Sequence, residues 1–315
     1  MLRMNILVTG GAGYIGSAAV KALADNKHKV IVVDNLSKGS IKLVDKRASF
    51  YKVDLVDRKK LDLVFKNNKI DAVMHFAAYK AVEESMQNPR KYSDNITGTI
   101  NLLDMMVKYN VKKLIFSSSA AVYGTPIYTP IDEKHPTKPI NYYGFTKLEC
   151  EKIIEWYSKV HNINYISLRY FNVAGDAGLG YIDPSAKNIF PIIMEVLTGK
   201  RDKLTIFGKD YNTRDKTCIR DYIDINDLVK AHILALNVNK NSVINLGTAK
   251  GISVKELVKH IIKFNGNTFN YKFGPRRKGD APILITSNKK ARKVLGWKPK
   301  KNIKDMIKST YEAYN

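Results

Sequence analysis

Long apolar runs are missing from this 315-residue chain, and no stretch approaches the roughly 18 residues that a membrane-spanning helix needs. The apolar start Ile6-Leu7-Val8 runs straight into glycines and is too short for a signal peptide, so it reads as a first strand and makes the cytoplasm the expected compartment. Cysteine is scarce. Cys150 and Cys218 form neither a disulfide framework nor a metal-ligand spacing, which suits a reducing compartment and predicts no metal. Acidic residues are also few: 29 Asp and Glu against 53 Lys and Arg give a formal charge of +24. Such a balance fits nucleic-acid binding, because a basic face releases counterions from phosphates. The excess, however, is Lys (42 against 11 Arg), scattered as pairs such as Lys59-Lys60, Lys112-Lys113 and Lys289-Lys290. No basic stripe, stacking aromatics or reading helix accompanies it, so nucleic acid is not the expected partner. What remains is modest steering of an anionic substrate.

What is present is an ordinary globular complement, 44% hydrophobic and 10% aromatic, which excludes a disordered chain. Runs rich in β-branched residues at Asn5–Val8, Val30–Val33, Ser49–Val53, Ala72–Phe76 and Lys113–Ser117 alternate with helical stretches, and Tyr165–Leu168 follows a long segment, Tyr143–Val160. That rhythm predicts βαβ units, hence an α/β fold with a doubly wound parallel sheet. After about Gly175 glycine and proline become dense (Gly178, Gly180, Pro184, Pro191), and helices such as Ile189–Leu197 and Val254–Phe264 are shorter. The expected organisation is a nucleotide-binding domain over 1–175 and a smaller C-terminal α/β substrate lobe over 176–315. A return segment over 224–248 (Asp224–Leu236, then Ser242–Leu246) could rejoin the first domain.

Thr9-Gly10-Gly11-Ala12-Gly13-Tyr14-Ile15-Gly16 follows the first strand and opens a helix. Glycines there let the backbone approach a pyrophosphate, and the helix N-terminus offers free N–H groups and a positive dipole end. Asp34 ends the second strand, 18 residues after Gly16. A carboxylate at that place accepts bonds from ribose hydroxyls and repels a 2′-phosphate, which favours NAD over NADP.

Tyr143-Gly144-Phe145-Thr146-Lys147 sets a phenol and an ammonium four residues apart on one helix face. A tyrosine is a poor base at neutral pH unless a cation favours its phenolate. With 18 Tyr and 42 Lys, about two such spacings arise by chance, and the other one here, Tyr109 with Lys113, straddles a helix-to-strand junction. Context separates them. Ser117-Ser118-Ser119 ends the fifth strand at the carboxyl edge where doubly wound sheets bind ligands, and Ser119 could bond either the phenol or a substrate hydroxyl.

On these residues the chain resembles the extended short-chain dehydrogenases/reductases, and within them the UDP-galactose (UDP-glucose) 4-epimerases. The similarity runs from Asn5 to about Trp297 and is carried jointly by Val8–Ser17, His75–Val82, Phe116–Gly124, Leu168–Asn172, Leu204–Tyr211, Arg220–Ile223 and Gly274–Asp280. The resemblance implies a Rossmann-type sheet, with Tyr143 as base and acid, Lys147 on the nicotinamide ribose, and Ser119 assisting. It also implies NAD contacts at Gly10, Gly13, Tyr14, Ile15, Gly16, Asp34, Asn35, Asp54, Leu55, Phe76, Ala77, Lys80 and Asn95, with Phe171 near the nicotinamide. Nucleotide-sugar contacts would fall at Asn172, Asn188, Phe207, Arg220, Arg277 and Asp280, and Leu284 would border the sugar pocket. A guanidinium fork suits a diphosphate. Three positions depart from the family pattern: Lys216 stands where glycine is usual, Asp224 where histidine is common, and Asn95 alone fills a site that often carries two asparagines.

The implied chemistry is a redox cycle without net redox change. Tyr143 takes the C4 hydroxyl proton, NAD takes the C4 hydride, and the 4-keto sugar turns before hydride returns to its other face. UDP-glucose and UDP-galactose are the expected pair, with UDP-GlcNAc and UDP-GalNAc possible through the short Leu284. Rivals are a 4,6-dehydratase or uronate epimerase of the same fold, and an inactive NAD-binding regulator. A dehydratase needs acidic residues after the serine, where this chain has Ala120-Ala121. The family commonly forms homodimers through two long helices, here Arg90–Tyr109 and Tyr143–Val160.

Overall fold

The β-branched runs pair into one seven-stranded sheet in which every neighbouring pair is parallel. The computed structural model describes residues 3–183, 187–266, 269–277 and 280–315, so Pro184 and part of the Gly274–Asp280 stretch lie outside the described residues. Strands β1 (Asn5–Thr9), β2 (Lys29–Asp34), β3 (Ser49–Lys52), β4 (Ala72–His75), β5 (Lys113–Ser117) and β6 (Asn164–Tyr170) come first. Then β7 (Asn172–Ala174), β8 (Leu204–Phe207) and β9 (Ile219–Asp224) intervene before β10 (Ser242–Leu246), which returns to pair with β6. The sheet order is β10-β6-β5-β4-β1-β2-β3, so the winding reverses between β1 and β4.

Side chains alternate between the two faces, as the pleat requires. Ile6, Val8, Val30, Val32 and Met74 pack under α1 (Tyr14–Asp25) and later helices, whereas Leu7, Ile31, Val33, Val73 and Phe116 pack under α2 (Arg58–Asn67) and the long helices further on. Burial on both faces explains why these strands read as continuous apolar runs. The second face is completed, after the short α3 (Val82–Gln87), by α4 (Pro89–Lys108) and α5 (Tyr142–His161), through Leu102, Leu103, Met106, Cys150 and Ile154. The first face takes α7 (Ile225–Ala235), which follows α6 (Ile189–Leu197), through Leu228, Ala231 and Ala235. The fold is therefore the doubly wound α/β architecture expected.

The remaining strands β11 (Gly251–Ser253), β12 (Tyr271–Gly274) and β13 (Ile283–Leu284) complete a sheet in which β7, β11 and β13 all pair with β9, and a β8-β12 pair. Helices α8 (Val254–Asn265), α9 (Lys289–Leu295) and α10 (Ile303–Tyr314) finish the chain. Phe190, Ile193, Leu257, Ile261, Met306 and Ile307 form a separate apolar cluster among α6, α8 and α10. Capping boxes at Ser253/Glu256 and Asn302/Asp305 start the last two long helices by satisfying their first N–H groups. Lys216, at the position where the resembling family has glycine, adopts φ +67°. Asp224 caps α7 by accepting from Asn226 N at 2.8 Å. No helix among the described residues is long and apolar enough to cross a membrane.

Candidate active site

The carboxyl ends of β1, β2, β4, β5 and β6 converge on a cleft of about 530 Å³, at the point where the winding reverses. Its floor is the glycine loop. Gly10 has φ +71°, and a Cβ there would lie 2.6 Å from the Ala77 nitrogen; a Cβ on Gly16 would lie 2.0 Å from the Gly10 carbonyl oxygen. Only glycine permits that turn and that helix-to-loop contact. Gly13 leads into α1 with no capping side chain and no acidic residue in the first turn, so the N–H groups face the cleft unopposed.

Asp34 is 8% exposed and anchors the loop: Oδ2 accepts from Ala12 N at 3.0 Å and Oδ1 from Leu36 N at 2.8 Å. Each oxygen keeps a further lone pair for a hydroxyl donor. Asn35 donates to Asp54 Oδ2 at 2.8 Å, which fixes both beside the cleft, and Leu55 lines it next to them. Tyr14, Ile15, Phe76, Ala77 and Lys80 also line it, and Lys80 lies 5.9 Å from the Tyr14 ring centre. Asn95 lines the cleft too but spends its amide on protein: it accepts from Tyr79 N at 2.8 Å and donates to Tyr79 O and Thr146 Oγ1. Together these groups fit an extended dinucleotide.

Tyr143 and Lys147 reach the same cleft from the first turns of α5, whose start Asn141 caps by accepting from Gly144 N at 2.8 Å. Lys147 is buried and donates to the Ser117 carbonyl at 2.8 Å. Ser119 Oγ accepts from Ala121 N at 3.1 Å and lies beside the Tyr143 phenol, although Ser119 itself does not line the cleft. Burial raises the Tyr143 pKa, opposed by the nearby Ser119 hydroxyl. Burial also pulls the Lys147 ammonium down to about 8, against the stabilising influence of Cys150 and Glu151. In the protein alone desolvation governs the phenol, and a Lys147 near 8 is uncharged where the phenol ionises, so the expected cationic support of the phenolate is not in place. The rival pair does not form: Tyr109 bonds Asp62, while Lys113 bonds Asn164 and the Val238 carbonyl.

The residues matched to substrate contacts gather on the second set of elements, outside the lining of this cleft. Asp280 sits between two arginines, accepting from Arg277 Nε at 2.9 Å and from Arg220 Nη2 at 3.4 Å. Arg277 also covers the Phe207 ring at 4.8 Å. Two guanidinium groups against one carboxylate leave a net cation, suited to a diphosphate. Asn172 donates to the Asp221 carbonyl at 3.2 Å, and exposed Asn188 precedes α6 without capping it. Leu284 is the cross-strand partner of Arg220. With Phe171, which does not line the cleft, it packs on the small cluster of Val122, Tyr123 and Ile131 beside the serine turn.

Several cleft residues escaped the sequence reading. Tyr170 lines the cleft with its hydroxyl bonded to Ser117 Oγ, and Tyr181 stacks on Tyr14 at 4.7 Å. Ser117 and Tyr170 lie inside stretches already singled out, at the ends of adjacent strands, but the register sets Ser117 opposite Leu168, two residues before Tyr170. No group of His, Cys, Asp or Glu that could hold a metal occurs among the described residues.

Comparison with known proteins agrees with this geometry. The family model described as GDP-mannose 4,6 dehydratase matches residues 7–310. The chain is 47% identical to a UDP-glucose 4-epimerase of Lactobacillus helveticus, over 98% of this chain and 96% of that protein. Among solved structures it is similar to the UDP-glucose 4-epimerase of Bifidobacterium longum in complex with NAD+ and UDP, at TM-score 0.92 and 39% identity over 98% of this chain and 97% of that one. It is also similar to the UDP-Glc/GlcNAc 4-epimerase of Campylobacter jejuni, at TM-score 0.88 and 40% identity over 99% of each chain.

Proposed function

This chain belongs to the UDP-glucose 4-epimerase family, and we infer that it is an NAD-dependent isomerase interconverting UDP-glucose and UDP-galactose. The observation that carries the reading is the meeting, at one cleft, of the glycine loop and Asp34 with the phenol of Tyr143 and the buried ammonium of Lys147, with Ser119 beside the phenol.

The chemistry NAD supplies when bound is reversible acceptance of a hydride from C4. Gly10, Gly13 and Gly16 with the start of α1 would hold its pyrophosphate, and Asp34 its adenosine ribose. Tyr143 takes the C4 hydroxyl proton as phenolate and returns it after the 4-keto sugar has turned, with Ser119 donating to the phenol or the sugar. Tyr143 lies in the first turn of α5, where the positive end of the helix favours its anion. Lys147, anchored on Ser117, directs its charge at the nicotinamide ribose. Arg220, Arg277, Asp280, Phe207, Asn172 and Asn188 hold the nucleotide while the hexose is free to rotate. The division of labour is residues 1–175 with the return segment 224–248 for the cofactor, and 176–315 for the sugar nucleotide.

The 4,6-dehydratase reaction is not favoured, because Ala120 and Ala121 offer no acid–base pair after Ser119. Acceptance of the N-acetylated sugars is a second reading, supported by Leu284 packing beside the serine turn. The exposed stripe of Phe145, Trp156 and Val160 on α5 supports a homodimer, measurable by light scattering. The compartment proposed is the cytoplasm. Purified protein offered UDP-galactose, UDP-GlcNAc and UDP-glucuronate in parallel tests the assignment; turnover of the glucuronate alone would replace it.

A further inference from the structure

Ser118 stands between the serine whose carbonyl holds Lys147 and the serine beside the Tyr143 phenol, and it does not line the cleft. It is buried, and its hydroxyl donates to Glu151 Oε1. The same carboxylate accepts Arg169 Nε at 2.9 Å on Oε1 and Arg169 Nη2 on Oε2, a two-pronged pair. Arg169 Nη1 continues to the Tyr123 hydroxyl at 3.0 Å, which donates to Asn245 Oδ1 at 2.6 Å on β10. Glu151 and Arg169 are each 6% exposed.

We propose that Glu151 is a positioning residue for the epimerisation: its carboxylate fixes the Ser118-Ser119 end of β5, the Arg169-Tyr170 end of β6 and helix α5 in one register. The proposal rests on the 4-epimerase reading above. Three segments distant in sequence carry Ser119, Tyr143 with Lys147, and Tyr170, and Glu151 is the side chain that bonds the other two segments from the third. Catalytic groups tolerate misplacement of only about 0.5 Å. Stability alone does not call for this arrangement, since a well-packed apolar pair of equal volume often serves as well as a buried ion pair. The pair also bears on charge. Glu151 lies one helical turn beyond Lys147 and favours its ammonium form. The other groups facing Lys147 are Cys150 and Tyr143 on its own helix and His75 from β4, while Tyr170 approaches from β6 through Ser117; Arg169 faces Glu151 from β6. Burial keeps His75 neutral, with a pKa of about 3, and raises those of Cys150, Tyr143 and Tyr170, so Glu151 is the nearby anion available at neutral pH.

The test uses the holoenzyme with Glu151→Gln and, because that change leaves Arg169 unpaired, the double variant Glu151→Leu/Arg169→Met. Thermal unfolding and released NAD establish the fold. The expected result is a kcat at least about tenfold lower with the KM for UDP-galactose within about threefold, a split that marks lost transition-state geometry rather than lost binding. The Lys147 ammonium is followed independently of turnover by carbon-13 NMR of its ε-carbon against the same background carrying Lys147→Arg. Its midpoint should move to lower pH, because Glu151 favours the ammonium form. A folded double variant with wild-type kcat and an unmoved Lys147 titration would overturn the proposal. A wild-type chain that epimerises nothing, with the Lys147 titration still shifted in the variants, would overturn the 4-epimerase reading and uphold the positioning role.

Discussion

Lys147 reaches the Ser117 carbonyl at 2.8 Å, two residues before Ser119, whose hydroxyl lies beside the Tyr143 phenol. The base and its cation therefore both meet one short stretch at the end of β5. Tyr143→Phe should keep the fold and bound NAD yet lose about 10²–10⁴-fold in epimerase rate, the usual contribution of a general acid–base group. Lys147→Ala should also slow turnover strongly and move its pH optimum upward. Tyr109→Phe, whose hydroxyl bonds Asp62, is the control and should change little. Near-normal rates in Tyr143→Phe would remove the catalytic assignment.

The cofactor is regenerated in each turnover, so the protein has no use for releasing it. It should purify with tightly held NAD and need none added. Denaturation followed by assay of the released nucleotide checks this, and NADP as the main species would overturn the reading of Asp34.

Leu284 faces Arg220 across β13 and β9 and packs beside the serine turn with Phe171. A leucine leaves room for a C2 acetamido group that a tyrosine would fill. Leu284→Tyr should depress the UDP-GlcNAc reaction selectively, by about 1–3 kcal/mol of overpacking, while UDP-galactose turnover is retained. A wild type inert toward saturating UDP-GlcNAc would discard the gate and leave the 4-epimerase assignment intact.

His232 is fully buried against Phe76; Nδ1 bonds the Leu228 carbonyl and Nε2 has no partner among the described residues. Burial holds its pKa down at about 4, from 6.5. A depressed histidine contributes stability above pH 6.5 that is lost as pH falls through 4, because the unfolded chain binds the proton first. His232→Leu should flatten the acid side of the stability curve by about 1.4 kcal/mol per pH unit in that window. Parallel melting curves of the two proteins from pH 7 to 4 would reveal it; equal slopes would mean the ring is charged or solvated.

Lys216 pays a steric penalty at φ +67° that glycine would avoid. Lys216→Gly should raise stability by roughly 0.5–1 kcal/mol after the entropy of the added glycine is deducted. Chemical denaturation with an unchanged slope would measure this cleanly.

The parts legible in sequence are those whose physics is local. The glycine loop, Asp34, the Tyr143–Lys147 spacing and the first six strands each rest on neighbours a few residues apart, and their bounds agree with the structure to within two residues. Tyr109 and Lys113 were separable because Asn110, at φ +57°, breaks the helix between them. The strands β7, β11 and β13 span two or three residues each, too few for any period to appear. The Ser118–Glu151–Arg169 network was invisible for a different reason. In sequence Glu151 looks like any charged helical residue; its burial comes only from β5 and β6 closing over it. The effect of burial on Tyr143 and Lys147 was likewise unreadable, since spacing reports which charges are near and not how much water is lost.

The return of β10 to β6 has a consequence for how the chain is made. β6 keeps an open edge until residues 171–241 have been synthesised, and the Lys113 ammonium lacks its Val238 carbonyl until then. An exposed edge of this kind is a template for pairing with other chains. A fragment ending near residue 175 would therefore be an aggregation hazard rather than an independent cofactor-binding unit, and the nascent protein runs the same risk until β10 is in place.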